Sequence, residues 1–259
     1  MTLLVAALWS VGYAAVRQGV VEITNAARPG AMSDAINLAA CDVLAASIVV
    51  FALVRVHARN ESLRATLGIR SIAPLHLALS IAAGAGLRPL FSTVEQLVLR
   101  RFPFTQVEQD ALKDAAKLFE LPTLSKRVAL VVYACVVLPL VVEVFFRGAL
   151  FGLLARSVPR QTVIVATSAF FACWSLDWRG LPTALVLGLA LARLRDRSGT
   201  LVAPVVAHLA YEAVEGVPLL RGLDPNADIT YPTRWIAGGA VIAALALVGM
   251  QAGAPKGEE

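Results

Sequence analysis

Apolar residues occur along this chain in long runs separated by short, mostly basic loops. Because about 20 consecutive apolar residues cross a bilayer, the runs predict membrane helices. The predicted segments are residues 2–16, 35–56, 72–91, 128–154, 162–176, 181–194, 200–214 and 235–250. Several are short, and we expect these to be tilted, partly re-entrant or buried in the bundle. The pattern predicts an all-α fold, a polytopic membrane helical bundle of about eight transmembrane segments.

The distribution of arginine predicts the orientation of this bundle. The loops after the second, fourth and sixth segments are basic, whereas the connection 215–233 holds three carboxylates against one arginine. By the positive-inside rule the basic loops are cytoplasmic. We therefore expect a multi-pass protein of the cell membrane, a bacterial inner membrane, with both termini in the cytoplasm.

Composition agrees with a membrane protein and limits the other classes. Charged residues make up 16% of the chain and hydrophobic residues 58%, whereas soluble domains carry about 25% charged residues. The net charge of +5 comes from arginines between apolar segments rather than from a basic stripe, so we expect no nucleic-acid partner. Cys41, Cys135 and Cys173 show no CxxC spacing and are predicted to be small buried hydrophobes.

The chain divides into three predicted regions. Residues 1–125 hold N-terminal membrane helices, of which the first is a retained helix rather than a signal peptide, and an amphipathic connector within 92–127. Residues 126–215 form a core in which ionisable residues lie within apolar runs. Residues 216–259 hold a loop, the last transmembrane helix and a disordered tail.

Two of the apolar runs contain ionisable residues. Glu143 and Arg147 lie near the middle of segment 128–154, and His208 and Glu212 lie in segment 200–214. Each buried charge costs about 2.5–3.5 kcal/mol on insertion scales, so such residues normally face a protein interior and mark a site. Both pairs are four residues apart, which places each pair on one helix face.

Three stretches resemble the motifs of the CAAX protease and bacteriocin-processing family, also called the CPBP or Abi family. Residues 138–150 resemble its first motif, Glu-Glu-x-x-x-Arg, and residues 168–176 its second, Phe-x-x-x-His. Residues 194–212 resemble the third, His-x-x-x-Asn/Asp, with its usual Gly-Ser/Thr-Leu-x-x-Pro approach. The resemblance covers about residues 128–215, in the order and spacing of the family.

This resemblance implies an intramembrane metalloendopeptidase acting on membrane-associated polypeptides. In the family, the acidic pair and the histidines line a cavity inside the bilayer. The first Glu activates a water that attacks the scissile amide, while the histidines and Asn bind a metal or stabilise the oxyanion. Such chemistry needs a wet pocket, a base and an electrophilic group at the carbonyl.

The chain departs from the family pattern at two positions. Val142 stands in place of the first Glu and Ser175 in place of the first His. The remaining candidate catalytic residues are Glu143, Arg147, His208 and Glu212. Of these, His208 and Glu212 are possible ligands for zinc or another divalent metal, or the protein holds no metal. Because loss of a general base alone costs ~10²–10⁴ in rate, we expect impaired catalysis.

Other interpretations of these residues remain open. Glu143 could act as the base while His208 and Glu212 hold a metal, or Asp177 could replace the missing histidine. Alternatively, Glu143–Arg147 is only a stabilising ion pair, and His208 and Glu212 only join helices by polar contacts. Both an active and an inactive enzyme therefore agree with these residues.

Three functions follow from these interpretations. The first is a CPBP-family endopeptidase-like membrane protein, impaired in catalysis. The second is a non-catalytic pseudo-protease that binds or regulates a membrane protein. The third is a small transporter, which rests only on buried charges and lacks an internal repeat. The expected partners are the lipid bilayer and a membrane-associated peptide or protein.

Overall fold

A computed structural model describes residues 1–110, 123–174, 178–221 and 231–252, and these residues form helices and turns without a β-strand. A 3₁₀ turn at Ala31–Ser33 joins the first two helices, and residues 106–110 are also helical. The helices are α1 Leu3–Ala27, α2 Ala35–His57, α3 Leu63–Leu67, α4 Pro74–Arg101, α5 Leu124–Leu154, α6 Arg160–Trp174, α7 Leu181–Ser198, α8 Val202–Leu220 and α9 Thr233–Ala252.

The predicted all-α membrane bundle is confirmed. Each of the eight predicted segments corresponds to one of the long helices, α3 being a short additional helix. Five helices are long and apolar enough to cross a membrane: α1, α2, α4, α5 and α9. The helices α6, α7 and α8 have 15, 18 and 19 residues, respectively. The number of helices that cross the bilayer remains a prediction.

The first helix is longer than its apolar run. The prediction ended it at residue 16, but α1 continues to Ala27. Arg17 does not end the helix because it faces the bundle, where its Nε lies 2.6 Å from Asp42 Oδ1. The Tyr133 hydroxyl donates to Asp42 Oδ2 at 2.8 Å. Asp42 of α2 therefore contacts both Arg17 of α1 and Tyr133 of α5.

The fourth helix also exceeds its predicted length. It runs past residue 91 to Arg101 and so includes the first part of the predicted connector. Beyond it, Arg179 donates to the Phe102 carbonyl oxygen at 2.9 Å and pairs with Glu108. These contacts fix residues 102–110 against the start of α7. The second half of the predicted connector, residues 111–122, lies outside the described residues.

Small residues let α4 approach its neighbours closely. A methyl group at Gly84 would overlap the carbonyl oxygen of Ala207 in α8, and one at Gly86 would overlap that of Gly239 in α9. Gly249 lies against Leu79, so α9 runs antiparallel to α4. Small residues at helix contacts are typical of membrane bundles. This packing holds the middle of α8 next to α4.

The basic loops meet at one end of the bundle. The Met1 amino group donates to Ser157 Oγ at 2.9 Å, and Arg156 Nη2 lies 2.7 Å from Glu61 Oε2. Thr200 Oγ1 donates to the Arg70 carbonyl oxygen at 2.8 Å. We call this the basic end, formed by residues 1–2, 58–73, 155–159 and 199–201; the far end holds residues 28–34, 102–110 and 178–180. The positive-inside prediction requires the basic loops to share one side, as they do here, but which side faces the cytoplasm remains a prediction.

The cysteine prediction is partly wrong. Cys41 and Cys135 are buried, whereas Cys173 is exposed. On α6, Phe171 and Ala172 face the core, and Cys173 follows on the outward face of the helix. An apolar run in a membrane protein therefore does not by itself predict burial within the protein, since lipid also accepts apolar side chains.

Candidate functional site

The helix that carries Glu143 and Arg147 is not a regular α-helix throughout. Two stretches of α5, Tyr133–Val137 and Val144–Leu150, form wider π-turns. The first precedes Pro139, which lacks an N–H and interrupts the α-helical hydrogen bonding. The second contains Arg147 and Gly148. π-turns are rare and occur frequently at functional sites.

Glu143 lies at the centre of the candidate site. Its Oε1 is 3.0 Å from Arg147 Nη1 and 3.0 Å from His208 Nδ1. The side chains of Glu143 and Arg147 are 0% exposed, and His208 is 6% exposed as a residue. The ion pair expected from the i,i+4 spacing is therefore present, and His208 of α8 joins it.

Arg147 connects this carboxylate to α7. Its Nη2 donates to the Gly188 carbonyl oxygen at 3.0 Å, and its guanidinium lies 4.4 Å from the centre of the Phe171 ring. A side chain at residue 188 would meet Ser168 and Phe171, so the glycine permits this contact. Arginine donors and an aromatic face compensate partly for burial of the charge. Two buried atoms, Glu143 Oε2 and Arg147 Nε, have no hydrogen-bond partner among the described residues.

His208 is placed between two carboxylates. Its Nε2 lies 3.6 Å from Glu212 Oε1, one turn further along α8. The side chain of Glu212 is 29% exposed, so it forms the accessible edge of the site. The structure thus brings Glu143, Arg147, His208 and Glu212 into one connected cluster, whose catalytic role remains a prediction.

A second group of polar side chains extends this cluster toward the far end. Arg88 of α4 donates to the Tyr211 hydroxyl at 2.5 Å and pairs with Glu215 of α8. Glu95 lies 4.0 Å from Arg88 and accepts a hydrogen bond from Thr183 at 3.0 Å. Arg88 was not among the predicted site residues, although a charge within the apolar run 72–91 is the same signal that identified Glu143.

Of the two positions that depart from the family motifs, Val142 lies within the described residues and Ser175 does not. Val142 is buried and packs in the hydrophobic core beside Glu143. An apolar side chain thus occupies the position of the motif carboxylate. Ser175 and Asp177 lie outside the described residues, so the proposed replacement of the missing histidine by Asp177 remains a prediction.

The described residues do not supply a complete catalytic zinc site. Such sites use three protein ligands and one open position. His208 and Glu212 supply two side chains, and Glu143 Oε1 already contacts Arg147 and His208 Nδ1. In the described part of the chain, no group of three His, Cys, Asp or Glu residues is placed to hold a metal ion.

The family model described as type II CAAX prenyl endopeptidase Rce1-like matches residues 124–214. The resemblance predicted from the three motifs is confirmed. Residues 124–214 are therefore similar to CAAX proteases, and the apolar helices support a multi-pass membrane protein.

The match defines which helices carry the family pattern. It runs from the start of α5 into α8 and includes Glu143, Arg147, His208 and Glu212. Arg88 and Asp42 come from helices before the matched residues. No curated protein and no solved structure matches the chain.

Proposed function

We propose that this CAAX protease-like protein binds membrane-associated polypeptides and does not hydrolyse them at the rate of a complete protease. The observation that carries the proposal is the position of the Glu143 carboxylate. It is the acid nearest to the lost motif Glu, and it is fully buried against Arg147 and His208. A carboxylate held in this way stabilises the helix contact between α5 and α8.

A general base needs a proton-accepting atom within hydrogen-bond reach of the water that it deprotonates. Val142 has no such atom. Glu143 Oε1 already lies at hydrogen-bond distance from Arg147 and His208. These features support a site impaired in peptide hydrolysis.

The same cluster supports binding of a polypeptide backbone. A peptide segment at membrane depth requires hydrogen-bond partners for its N–H and C=O groups, and it is tolerated only where protein or water supplies them. The partly exposed Glu212 offers a carboxylate, and His208 lies beside it. Glu95, Glu215 and Arg88 extend the accessible polar groups toward the far end.

One observation favours slow hydrolysis as a second candidate function. Glu143 Oε2 has no hydrogen-bond partner among the described residues. This oxygen could accept a proton from a water that enters from the Glu212 side. Under this alternative, Glu143→Gln removes the activity while leaving a side chain of similar size.

The two functions are separated by measuring binding and cleavage together. We would add a fluorescent farnesylated peptide, and separately a single transmembrane peptide, to the full-length protein in nanodiscs. Anisotropy reports binding, and mass spectrometry reports whether the peptide stays intact. We expect at least one probe to bind and stay intact, and we expect binding to weaken in His208→Ala but not in Arg156→Ala at the basic end.

Two results would overturn the proposal. Hydrolysis by the wild-type protein that disappears in Glu143→Gln and His208→Ala would establish a protease. Absence of binding for both probes, with the protein shown to be folded by its thermal transition, would contradict the binding function.

A further inference from the structure

A cavity of about 530 Å³ lies at the far end, apart from the candidate site. It is formed by the end of α1, the 3₁₀ turn, the start of α2 and the first turns of α5. Its lining includes the charged residues Arg28, Asp34 and Lys126. The volume falls in the range of about 300–1,000 Å³ that is usual for small-molecule sites.

The charged residues of the lining favour an anion. Arg28 and Lys126 both line the cavity, and neither side chain has an ion-pair or hydrogen-bond partner among residues 1–110, 123–174, 178–221 and 231–252. Asp34 is the one carboxylate among the lining residues, and its Oδ1 accepts the N–H of Ile36 at the start of α2. Two cations therefore face the cavity without a carboxylate paired to either.

The position of the cavity along the membrane helices indicates the kind of anion that it binds. All three helices that form it are long and apolar enough to cross a membrane, and the cavity lies at their ends. Helix ends of this kind lie at the level of the lipid headgroups. Apolar side chains, Leu38, Ala129 and Leu130, line the cavity together with the cations. A ligand with both a negative headgroup and apolar chains matches this arrangement.

We propose that this cavity binds the phosphate headgroup of an anionic phospholipid. The guanidinium of Arg28 and the ammonium of Lys126 donate to the phosphate oxygens, while the lipid's glycerol and upper acyl carbons contact the apolar lining. Tyr133 also lines the cavity, and its hydroxyl donates to Asp42 in the Arg17–Asp42 pair. Bound lipid therefore holds together the junction of α1, α2 and α5.

The test uses the full-length protein in detergent with defined lipids. Native mass spectrometry would measure retention of phosphatidylglycerol, with phosphatidylcholine of the same chains and soluble glycerol phosphate as the other probes. We expect preferential retention of phosphatidylglycerol. The double variant Arg28→Gln/Lys126→Gln should weaken it about 10- to 30-fold, since each surface cation near an anionic lipid contributes about a tenfold effect or less.

Two further variants control for charge and for folding. Arg193→Gln/Arg197→Gln removes two exposed cations near the end of α7, at the basic end, and should leave the affinity within about twofold. Ala129→Phe fills the cavity without changing charge and should also abolish retention. Retention is compared only among variants whose thermal unfolding midpoint equals that of the wild type.

Three results would overturn the proposal. Equal retention of phosphatidylglycerol and phosphatidylcholine would show that the charge of the headgroup is not recognised. Equal binding of glycerol phosphate would show that the site takes a soluble anion rather than a lipid. Unchanged retention in both the double variant and Ala129→Phe would place the lipid elsewhere.

Discussion

Ion pairs in this protein lie in two different environments. Glu143–Arg147 is completely buried, whereas the side chains of Arg156 and Glu61 are 38% and 45% exposed. Exposed pairs contribute about 0–1 kcal/mol, because water solvates their charges well and screens their attraction. Loss of one partner from a buried pair leaves an uncompensated charge and costs about 3–5 kcal/mol. The two pairs therefore form a matched comparison of the same chemistry at different burial.

Replacing Arg147 by methionine should destabilise the protein strongly. The Glu143 carboxylate would lose its guanidinium while His208 alone remained beside it, and the expected cost is about 3–5 kcal/mol. The matched change Arg156→Met should cost about 0–1 kcal/mol. Unfolding in detergent by intrinsic tryptophan fluorescence measures both. Glu143→Leu/Arg147→Met should regain much of the loss, and equal destabilisation by Arg147→Met and Arg156→Met would contradict this account.

The contact of residues 102–110 with α7 should depend on acidity. Hydrogen bonds from Arg179 and then from Thr105 lower the pKa of Glu108 from 4.5 to about 2. A lowered folded pKa stabilises the contact above the unfolded value of 4.5, and this stabilisation disappears as pH falls from about 4.5 to 2. The exchange rate of the backbone amides of residues 102–110, corrected for the intrinsic rate at each pH, should rise only as pH falls from about 4.5 to 2. Glu108→Gln should exchange faster at neutral pH and lose this dependence.

At the level of helices, the site depends on close approaches that few residues permit. Gly84 brings α4 against α8 at Ala207, one residue before His208, and Gly188 brings α7 against Phe171. The π-turns of α5 widen the helix on both sides of Glu143. Each feature places backbone where a regular helix with larger side chains would not fit.

Alanine at Gly84 should separate α4 from α8. The added methyl group would overlap the Ala207 carbonyl oxygen, and overpacking of this kind costs about 1–3 kcal/mol. Gly12, in the interior of α1, has nothing within 4 Å of an added methyl group, so Gly12→Ala should be neutral or stabilising by about 0.4–1 kcal/mol. Thermal unfolding of the two variants measures the difference, and a loss in Gly12→Ala as large as in Gly84→Ala would contradict the packing described.

The helices could be predicted because hydropathy alone separates them from their loops. Their ends could not, since Arg17 and Glu95 are polar yet lie within helices whose neighbours bind them. The i,i+4 spacing predicted the Glu143–Arg147 pair. That His208 joins this pair depends on how α8 packs on α5, and the packing is tertiary information. For the π-turns, Pro139 was the only signal in the sequence. The burial of Cys173 was predicted wrongly because a side chain that faces lipid and one that faces the protein interior are both apolar, so the sequence does not distinguish them.

For the whole molecule, helices outside the matched residues complete the polar network. Arg88 comes from α4. The Arg17–Asp42 pair joins α1 to α2, and Asp42 accepts a hydrogen bond from Tyr133 of α5. The basic loops share one end, which the positive-inside rule assigns to the cytoplasm. The protein therefore has a polar interior that approaches its far end and a positively charged opposite end.

Labelling of intact cells tests the predicted orientation. In a chain whose native cysteines are replaced by alanine, Asn60→Cys lies at the basic end and Gln106→Cys at the far end, both exposed. A membrane-impermeant maleimide should label Gln106→Cys in intact cells and label Asn60→Cys only after lysis. The reverse result would invert the orientation.

The polar cluster around Glu143 is present, whereas Val142 stands where the family motif has its proton acceptor. Peptide hydrolysis by the wild-type protein and by Val142→Glu/Ser175→His, assayed side by side in nanodiscs, tests the effect of this replacement on catalysis most directly. We predict no turnover by the wild type, turnover by the double variant, and loss of that gain when His208→Ala is added. Wild-type turnover that disappears in Glu143→Gln, with no gain in the double variant, would contradict this prediction.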